Sequence, residues 1–274
     1  LDTYNLDPAS AAAALSARTK AILLVHQVGL PADIPAFRRL AATAGVTLVE
    51  DAACVIGSRV EGRPVGGDAR VAVFSFHPRK LLTTGEGGMV VTSERDLARR
   101  VGSLRHHGVT VSDYERHTAG RIVVESYDEV GYNFRMTDLQ AAIGLVQLKR
   151  IDELVARRVV QGERYRRAFA EHPALAVPCV PPTVTFNYQT YLLRLREGAR
   201  LGRDDLMEAL QAEGIATRRG LMATHLEPVY ASAPRPVPLP ATEEAARSTI
   251  ALPLFHDLTV TAQQRVIDGI LARV

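Results

Sequence analysis

Val71-Ala-Val-Phe-Ser-Phe-His-Pro-Arg-Lys-Leu-Leu-Thr-Thr-Gly-Glu-Gly-Gly-Met89 is the stretch on which the fold is read. Val71 to Phe76 is an apolar run of strand length. It stops at His77-Pro78, because proline has no N–H to give to a ladder. Lys80 stands just past that stop, and a glycine-rich turn, Gly85 to Gly88, leads into a second apolar run, Met89 to Thr92. Upstream, Ala21 to His26 reads as a strand ended by Gly29-Leu-Pro31, and Val46 to Val49 as a strand closed by Glu50-Asp51. Helical stretches alternate with them: Ala9 to Ala17, rich in alanine, and Pro35 to Ala44, capped by Gly45. Strands that are apolar on both faces and alternate with helices predict a parallel or mixed sheet buried under helices, an α/β fold.

Downstream, a short hairpin is expected over Gly57 to Gly67, and a helix from Glu94 to His106 with Ser93 as its cap and Asp96 in its first turn. His107 to Asp128 is polar and irregular, a length typical of functional loops. Met136 to Glu171 predicts nearly continuous helix with Thr137 as N-cap, bending once and ending at His172-Pro173. Pro178, Pro181 and Pro182 then mark a boundary, dividing a larger unit, 1–172, from a smaller α+β unit, 173–274. In the latter, strands are expected at Gln189–Leu195 and Ile215–Arg218. Helices are expected at Gly202–Glu213, Glu243–Thr249 and Thr261–Arg273, with a proline-rich loop at Ala233–Pro240.

Composition narrows the function classes. The 274 residues, 47% of them hydrophobic, suffice for one large core and a smaller one. No apolar run approaches the ~18 residues of a membrane span, and Leu1-Asp-Thr-Tyr-Asn5 does not read as a secretory signal. Two cysteines, Cys54 and Cys179, make neither a disulfide framework nor a metal cluster and suit a reducing, cytoplasmic compartment. A net charge of +3 without a basic block does not point to nucleic acid.

Only three of the 33 basic residues are lysines: Lys20, Lys80 and Lys149. Arginine keeps its proton and its delocalised charge, so amine–carbonyl chemistry on this chain falls to one of those three. Lys20 precedes its strand, and Lys149 lies in a predicted helix. Lys80 lies beyond the carboxyl end of a strand, where open α/β sheets bind ligands, among the apolar neighbours Phe74, Phe76 and Leu81 that would favour an unprotonated amine. Asp51 also ends a strand. It reads either as a helix cap or as a carboxylate able to pair with a pyridine nitrogen. Ser75, five residues before Lys80, reads as a strand serine or a phosphate donor. His77, His106, His107 and His225 show no metal-ligand spacing.

The motifs fall in an order that resembles one family. Glu50-Asp-Ala-Ala-Cys54, Gly66-Gly-Asp68, Phe74-Ser-Phe-His-Pro-Arg-Lys80, Glu86-Gly-Gly88 and Gly131-Tyr-Asn-Phe-Arg-Met-Thr-Asp138 resemble the DegT/DnrJ/EryC1/StrS family. So do Tyr188–Leu195, Gly214–Arg219, His225–Tyr230 and Leu252–His256. The resemblance implies a pyridoxal-phosphate (PLP) dependent transferase of fold type I, the aspartate aminotransferase-like large domain, followed by a small α+β domain. It implies amino transfer from glutamate to a nucleotide-linked keto-sugar. It also implies a homodimer with shared sites; the expectation of no metal and no nucleic-acid or membrane partner rests on the composition and spacing above.

Roles follow from the same resemblance. Lys80 would form the Schiff base, Asp51 would pair with the pyridine nitrogen, and Ser75 would bind the cofactor phosphate. Asn133 would reach across the dimer to the partner's cofactor phosphate. On charge, apart from the resemblance, Arg218, Arg219 and His225 are candidates to contact the anionic substrate, a mixture suited to a diphosphate. Cys54 stands where members of the family often carry glutamine beside the ring hydroxyl, and a thiol is the weaker hydrogen-bond partner. Members are typically about 100 residues longer at the amino end, a part that brings a phosphate-holding turn at a helix N-terminus and a ring-stacking aromatic. The large domain is therefore expected to be amino-terminally truncated here. Two other readings are carried. One is a non-catalytic homologue that binds a partner or sugar nucleotide. The other is a sugar dehydratase, whose family members carry histidine where Lys80 stands.

Overall fold

The computed structural model describes residues 1–111, 113–233 and 237–274. In chain order the elements are α1 (Pro8–Ala14), β1 (Ala21–Val25), α2 (Ile34–Ala44), β2 (Thr47–Asp51), β3 (Arg59–Val60), β4 (Arg63–Pro64), β5 (Ala72–Ser75) and β6 (Gly88–Val91). Then come α3 (Arg95–Leu104), α4 (Asp113–Thr118), α5 (Asp138–Leu148), α6 (Ile151–Phe169), β7 (Leu175–Ala176), β8 (Val184–Thr185) and β9 (Tyr191–Leu195). The last are α7 (Arg203–Ala212), β10 (Arg218–Arg219), α8 (Pro240–Ser248), β11 (Thr249–Leu252) and α9 (Val260–Leu271).

The first sheet runs β1-β2-β5-β6. β1, β2 and β5 are parallel and β6 returns antiparallel to β5, so the sheet is mixed as expected. Parallel pairing brings the carboxyl ends of β1, β2 and β5 to one edge: Val25 is opposite Asp51, and Asp51 opposite Val73. α2 covers one face through Phe37 and Ala41, with Ile22, Leu24 and Leu48 beneath it, while Ile34 at its start packs with Ala52, Val55 and Ala72. Its N-cap is the Asp33 side chain, which accepts from Ala36 N, and Gly45 closes it in the left-handed conformation.

The second sheet runs β10-β11-β9-β7, all antiparallel. Tyr191, Leu193, Leu195, Ile250 and Leu252 meet Tyr165 and Phe169 of α6, Leu206 and Leu210 of α7, and Val266, Ile267 and Ile270 of α9 in the largest core. A three-stranded ribbon, β4-β3-β8, ties residues 59–64 to residues 184–185. The hairpin turn carries Glu61 and Gly62 at positive φ, the pairing that a two-residue hairpin loop requires.

Five expectations are corrected. The first sheet is not buried on both faces: Leu23 is 60% exposed, and Val73 and Met89 are exposed beside it. Ser93 does not cap α3. Glu94 is the N-cap, without a side-chain cap bond, and its carboxylate instead takes Arg70 at 2.6 Å. The long helix breaks into α5 and α6, because Arg150 leaves the helical region. Lys149 accordingly caps α5 instead of lying mid-helix. The strand foreseen at Ile215–Arg218 is only Arg218–Arg219, since Ile215 turns into the core beside α7. Residues 234–236 of the proline-rich loop, and Ser112 of the long polar loop, lie outside the described residues.

Candidate active site

The site is assembled where β2 and β5 end. Asp51 is the last residue of β2, and its Oδ1 accepts from Ala53 N at 3.0 Å. That bond turns the chain into the loop that carries Cys54. From β5, Ser75 leads into a closed loop, Phe76 to Thr84. Phe76 O accepts from Thr84 N at 3.1 Å and from Thr83 Oγ1 at 2.9 Å, and Lys80 N donates to His77 O at 2.9 Å. Leu81 and Leu82 are buried and anchor this loop, leaving Lys80 half-buried above it. Lys80 Nζ donates to Cys54 Sγ at 3.0 Å, so the loops following β5 and β2 meet at their side chains.

The Ser75 side chain makes one hydrogen bond among the described residues, accepting from His77 N at 3.4 Å. Its hydroxyl proton and the second carboxylate oxygen of Asp51 have no hydrogen-bond partner among the described residues. An amine, a carboxylate oxygen and a hydroxyl, each with capacity to spare at one strand-end edge, fit a cofactor with a carbonyl, a basic ring nitrogen and a phosphate. The described residues hold no cluster of three or more His, Cys, Asp or Glu suited to a metal ion.

The other predicted site residues, Asn133, Arg218, Arg219 and His225, make no hydrogen bond to Asp51, Cys54, Ser75 or Lys80 among the described residues. Asn133 is exposed between Tyr132 and Phe134, in a backbone bridge with His106. Arg218 and Arg219 are exposed on β10. His225 Nε2 lies 3.1 Å from Glu243 Oε1 and lines a cleft of about 430 Å³ with Gln27, Met222, Tyr230 and Thr242. A second cleft, of about 320 Å³, shares Gln27, Met222 and Thr242 and reaches Val25, the residue opposite Asp51. His77 Nδ1 accepts from Arg79 N at 3.1 Å, a loop contact.

Three features escaped the sequence reading. His26, wholly buried past the end of β1, accepts from Ala32 N on Nδ1 at 3.1 Å and faces Glu50 Oε2 across 3.4 Å. Glu50 also takes Arg38 at 3.3 Å, so an ion pair underlies the strand that presents Asp51. The strand-end rule that singled out Asp51 applies equally to His26. Asn187 and Gln189, before β9, hold the Cys54 and Lys80 loops. Gln147 of α5 holds Thr83 from the other side, donating to Thr83 O at 2.6 Å and accepting from Thr83 N at 3.3 Å. Those contacts span 64 residues or more of sequence, and no local pattern announces them.

Fold and site together define an aminotransferase-like α/β enzyme. Residues 1–271 match the model of the DegT/DnrJ/EryC1/StrS aminotransferase family, and the chain belongs to that family. Solved structures agree. DesV of S. venezuelae, in complex with a ketimine intermediate, is 34% identical with a TM-score of 0.88, covering 98% of this chain and 69% of its own. DesI, solved in the presence of its TDP-sugar product, is 34% identical with a TM-score of 0.85, covering 98% and 66%. Helicobacter pylori PseC, an aminotransferase of pseudoaminic acid biosynthesis, is 25% identical with a TM-score of 0.91, covering 99% and 71%.

Proposed function

We propose that this enzyme uses PLP to move an amino group from glutamate to a nucleotide-linked keto-sugar. The observation that carries the proposal is the placement of Lys80, alone among the three lysines, at the strand-end edge that also holds Asp51. PLP supplies an electron sink when bound. Asp51 would hold a proton on its ring nitrogen, and Ser75 Oγ would donate to its phosphate. Lys80 Nζ would hold the cofactor carbonyl and, when displaced by the amino donor, carry a proton away from the amine-bearing carbon and return it. Cys54 Sγ, already in contact with Lys80, would lie beside the ring hydroxyl.

The substrate reading rests on charge and on relatives. Arg218, Arg219 and His225 would meet an anionic diphosphate, and DesI was solved with a TDP-sugar product. A homodimer would bring Asn133 to the partner's site. The face that would serve it is apolar and exposed, with Phe134, Leu139, Ile143, Leu145 and Val146 at 50% or more. Residues 1–172 would form the cofactor-bearing unit and 173–274 the small unit. No helix among the described residues is long and apolar enough to cross a membrane, and both cysteines are free, which suits a cytoplasmic enzyme.

The test is to titrate the PLP-loaded chain with glutamate, follow the cofactor's absorbance, and then add keto-sugar nucleotides. Loss of the loaded-form band with glutamate, and its return with one of those sugars, is expected. An unchanged spectrum with glutamate and every other amino donor would overturn the proposal.

A further inference from the structure

Asn187-Tyr188-Gln189 reaches both halves of the candidate site at once. Gln189 Oε1 accepts from Leu81 N at 2.8 Å, and Gln189 Nε2 donates to Arg79 O at 2.7 Å. Those two backbone groups flank Lys80. Asn187 Nδ2 donates to Cys54 O and to Ile56 O, both at 2.9 Å. Asn187 Oδ1 in turn accepts from the backbone N of Gln189 at 2.8 Å, tying the Asn187 side chain to the backbone that carries Gln189. The loops joined by the 3.0 Å Lys80–Cys54 contact are thus held from beneath by one tripeptide more than 100 residues away.

The tripeptide is itself built at a cost. Tyr188 has φ +48, a left-handed conformation that bulky residues rarely hold. Its ring is 2% exposed, lies 4.0 Å from the Phe186 ring, and its hydroxyl donates to Glu163 Oε1 at 2.8 Å. The buried Ser58 hydroxyl accepts from Asn187 N at 3.0 Å and donates to Gly29 O at 2.8 Å. Gly29 has φ +97, and a Cβ there would lie 2.0 Å from Asn187 Oδ1, so only glycine leaves room for the amide.

We propose that Asn187 and Gln189 are positioning residues that set the distance between Lys80 and Cys54. This rests on the imine role given to Lys80 above. Four hydrogen bonds from side-chain amides to loop backbone at those two points are what the role requires.

The test uses the full chain, free of cofactor, with Cys179→Ser to leave one thiol. Hydrogen exchange of the Leu81 amide, whose acceptor among the described residues is Gln189, and the alkylation rate of Cys54 by iodoacetamide are measured. Gln189→Ala and Gln189→Glu are compared with Phe37→Leu, a core variant in α2 away from the tripeptide. In Gln189→Ala, Leu81 exchange and Cys54 alkylation should each rise about tenfold, the effect of one or two lost hydrogen bonds. Gln189→Glu keeps the acceptor and should restore Leu81 protection, and Phe37→Leu should move neither. Free exchange of Leu81 in the parent chain, or equal effects of Phe37→Leu and Gln189→Ala, would overturn the inference. PLP fixed with borohydride separates the two readings. An adduct on Lys80 with Cys54 reactivity unmoved by Gln189→Ala refutes the positioning role alone. An absent adduct with Leu81 and Cys54 behaving as expected refutes the cofactor assignment alone.

Discussion

Gly162→Ala is a perturbation for which general rules and this structure give opposite signs. Gly162 lies within α6, where an ordinary helix interior gains about 1 kcal/mol on exchanging glycine for alanine. A Cβ at Gly162, however, would sit 2.6 Å from Cγ and Cδ1 of Tyr188 and 2.7 Å from Cδ2. Ordinary carbon contact needs about 3.5–4.0 Å, so the ring must retreat by roughly 1 Å. It cannot do so freely: these are the atoms nearest its backbone, its hydroxyl is bonded to Glu163, and Phe186 lies against it. Overpacking costs about 1–3 kcal/mol, and a weakened bond to the Glu163 carboxylate adds about 1 kcal/mol. Set against the helix gain, Gly162→Ala should lose roughly 1–3 kcal/mol. Urea unfolding measures this as a lower midpoint at unchanged slope. In a Tyr188→Ala background the same exchange should become stabilising by about 1 kcal/mol. Stabilisation by Gly162→Ala in the parent chain would refute the close seat assigned to Tyr188.

Other predictions are independent of that one. Ser58→Ala strands Asn187 N and Gly29 O in a buried setting and should cost about 2–4 kcal/mol in urea unfolding; a loss under about 1 kcal/mol would contradict the bonding described. Asp51→Asn keeps an oxygen for Ala53 N but removes the charge, so the glutamate-driven absorbance change should slow at least about a hundredfold while the fold persists. Burial, aided by the Arg157 and Arg158 charges, holds the His256 imidazole below its usual value. The folded state therefore prefers the neutral ring. Its stabilisation is complete above about pH 6.5 and is lost as pH falls through the lower folded value. The urea midpoint should drop between pH 7.5 and 5.5, and His256→Gln should flatten the part of that slope due to this ring; a slope unchanged by the substitution would refute the assignment.

The strands around Lys80 were legible because an apolar run, a proline stop and a glycine turn are all local signals. The same holds for α2, with Asp33 and Gly45 at its ends, and for α5, where Thr137 and Gln140 form a reciprocal cap. The hairpin of β3 and β4 was legible from its glycines. Less visible was what competes for a residue. Ser93 has a capping side chain, yet Glu94 takes the cap position because Arg70 draws its carboxylate to the end of β6. Arg150 breaks a helix whose apolar spacing continues across the break.

The site divides along the same line. Asp51, Ser75 and Lys80 were found as strand-end residues, and the structure puts them on one edge. The partners that hold them, Asn187, Gln189 and Gln147, are amides whose identity makes sense only against backbone brought in from far along the chain. Asn133 came from the family resemblance and Arg218, Arg219 and His225 from their charge, and none of the four is hydrogen-bonded to Lys80 or Cys54 among the described residues.

The central claim is that Lys80 is the amine that holds the cofactor. The most direct measurement is to load the chain with PLP, reduce with borohydride, digest it and locate the phosphopyridoxyl group by mass. The account predicts one modified lysine, Lys80, and none in Lys80→Ala. A label on Lys20 or Lys149 that persists in Lys80→Ala, or no label at any lysine, would contradict it.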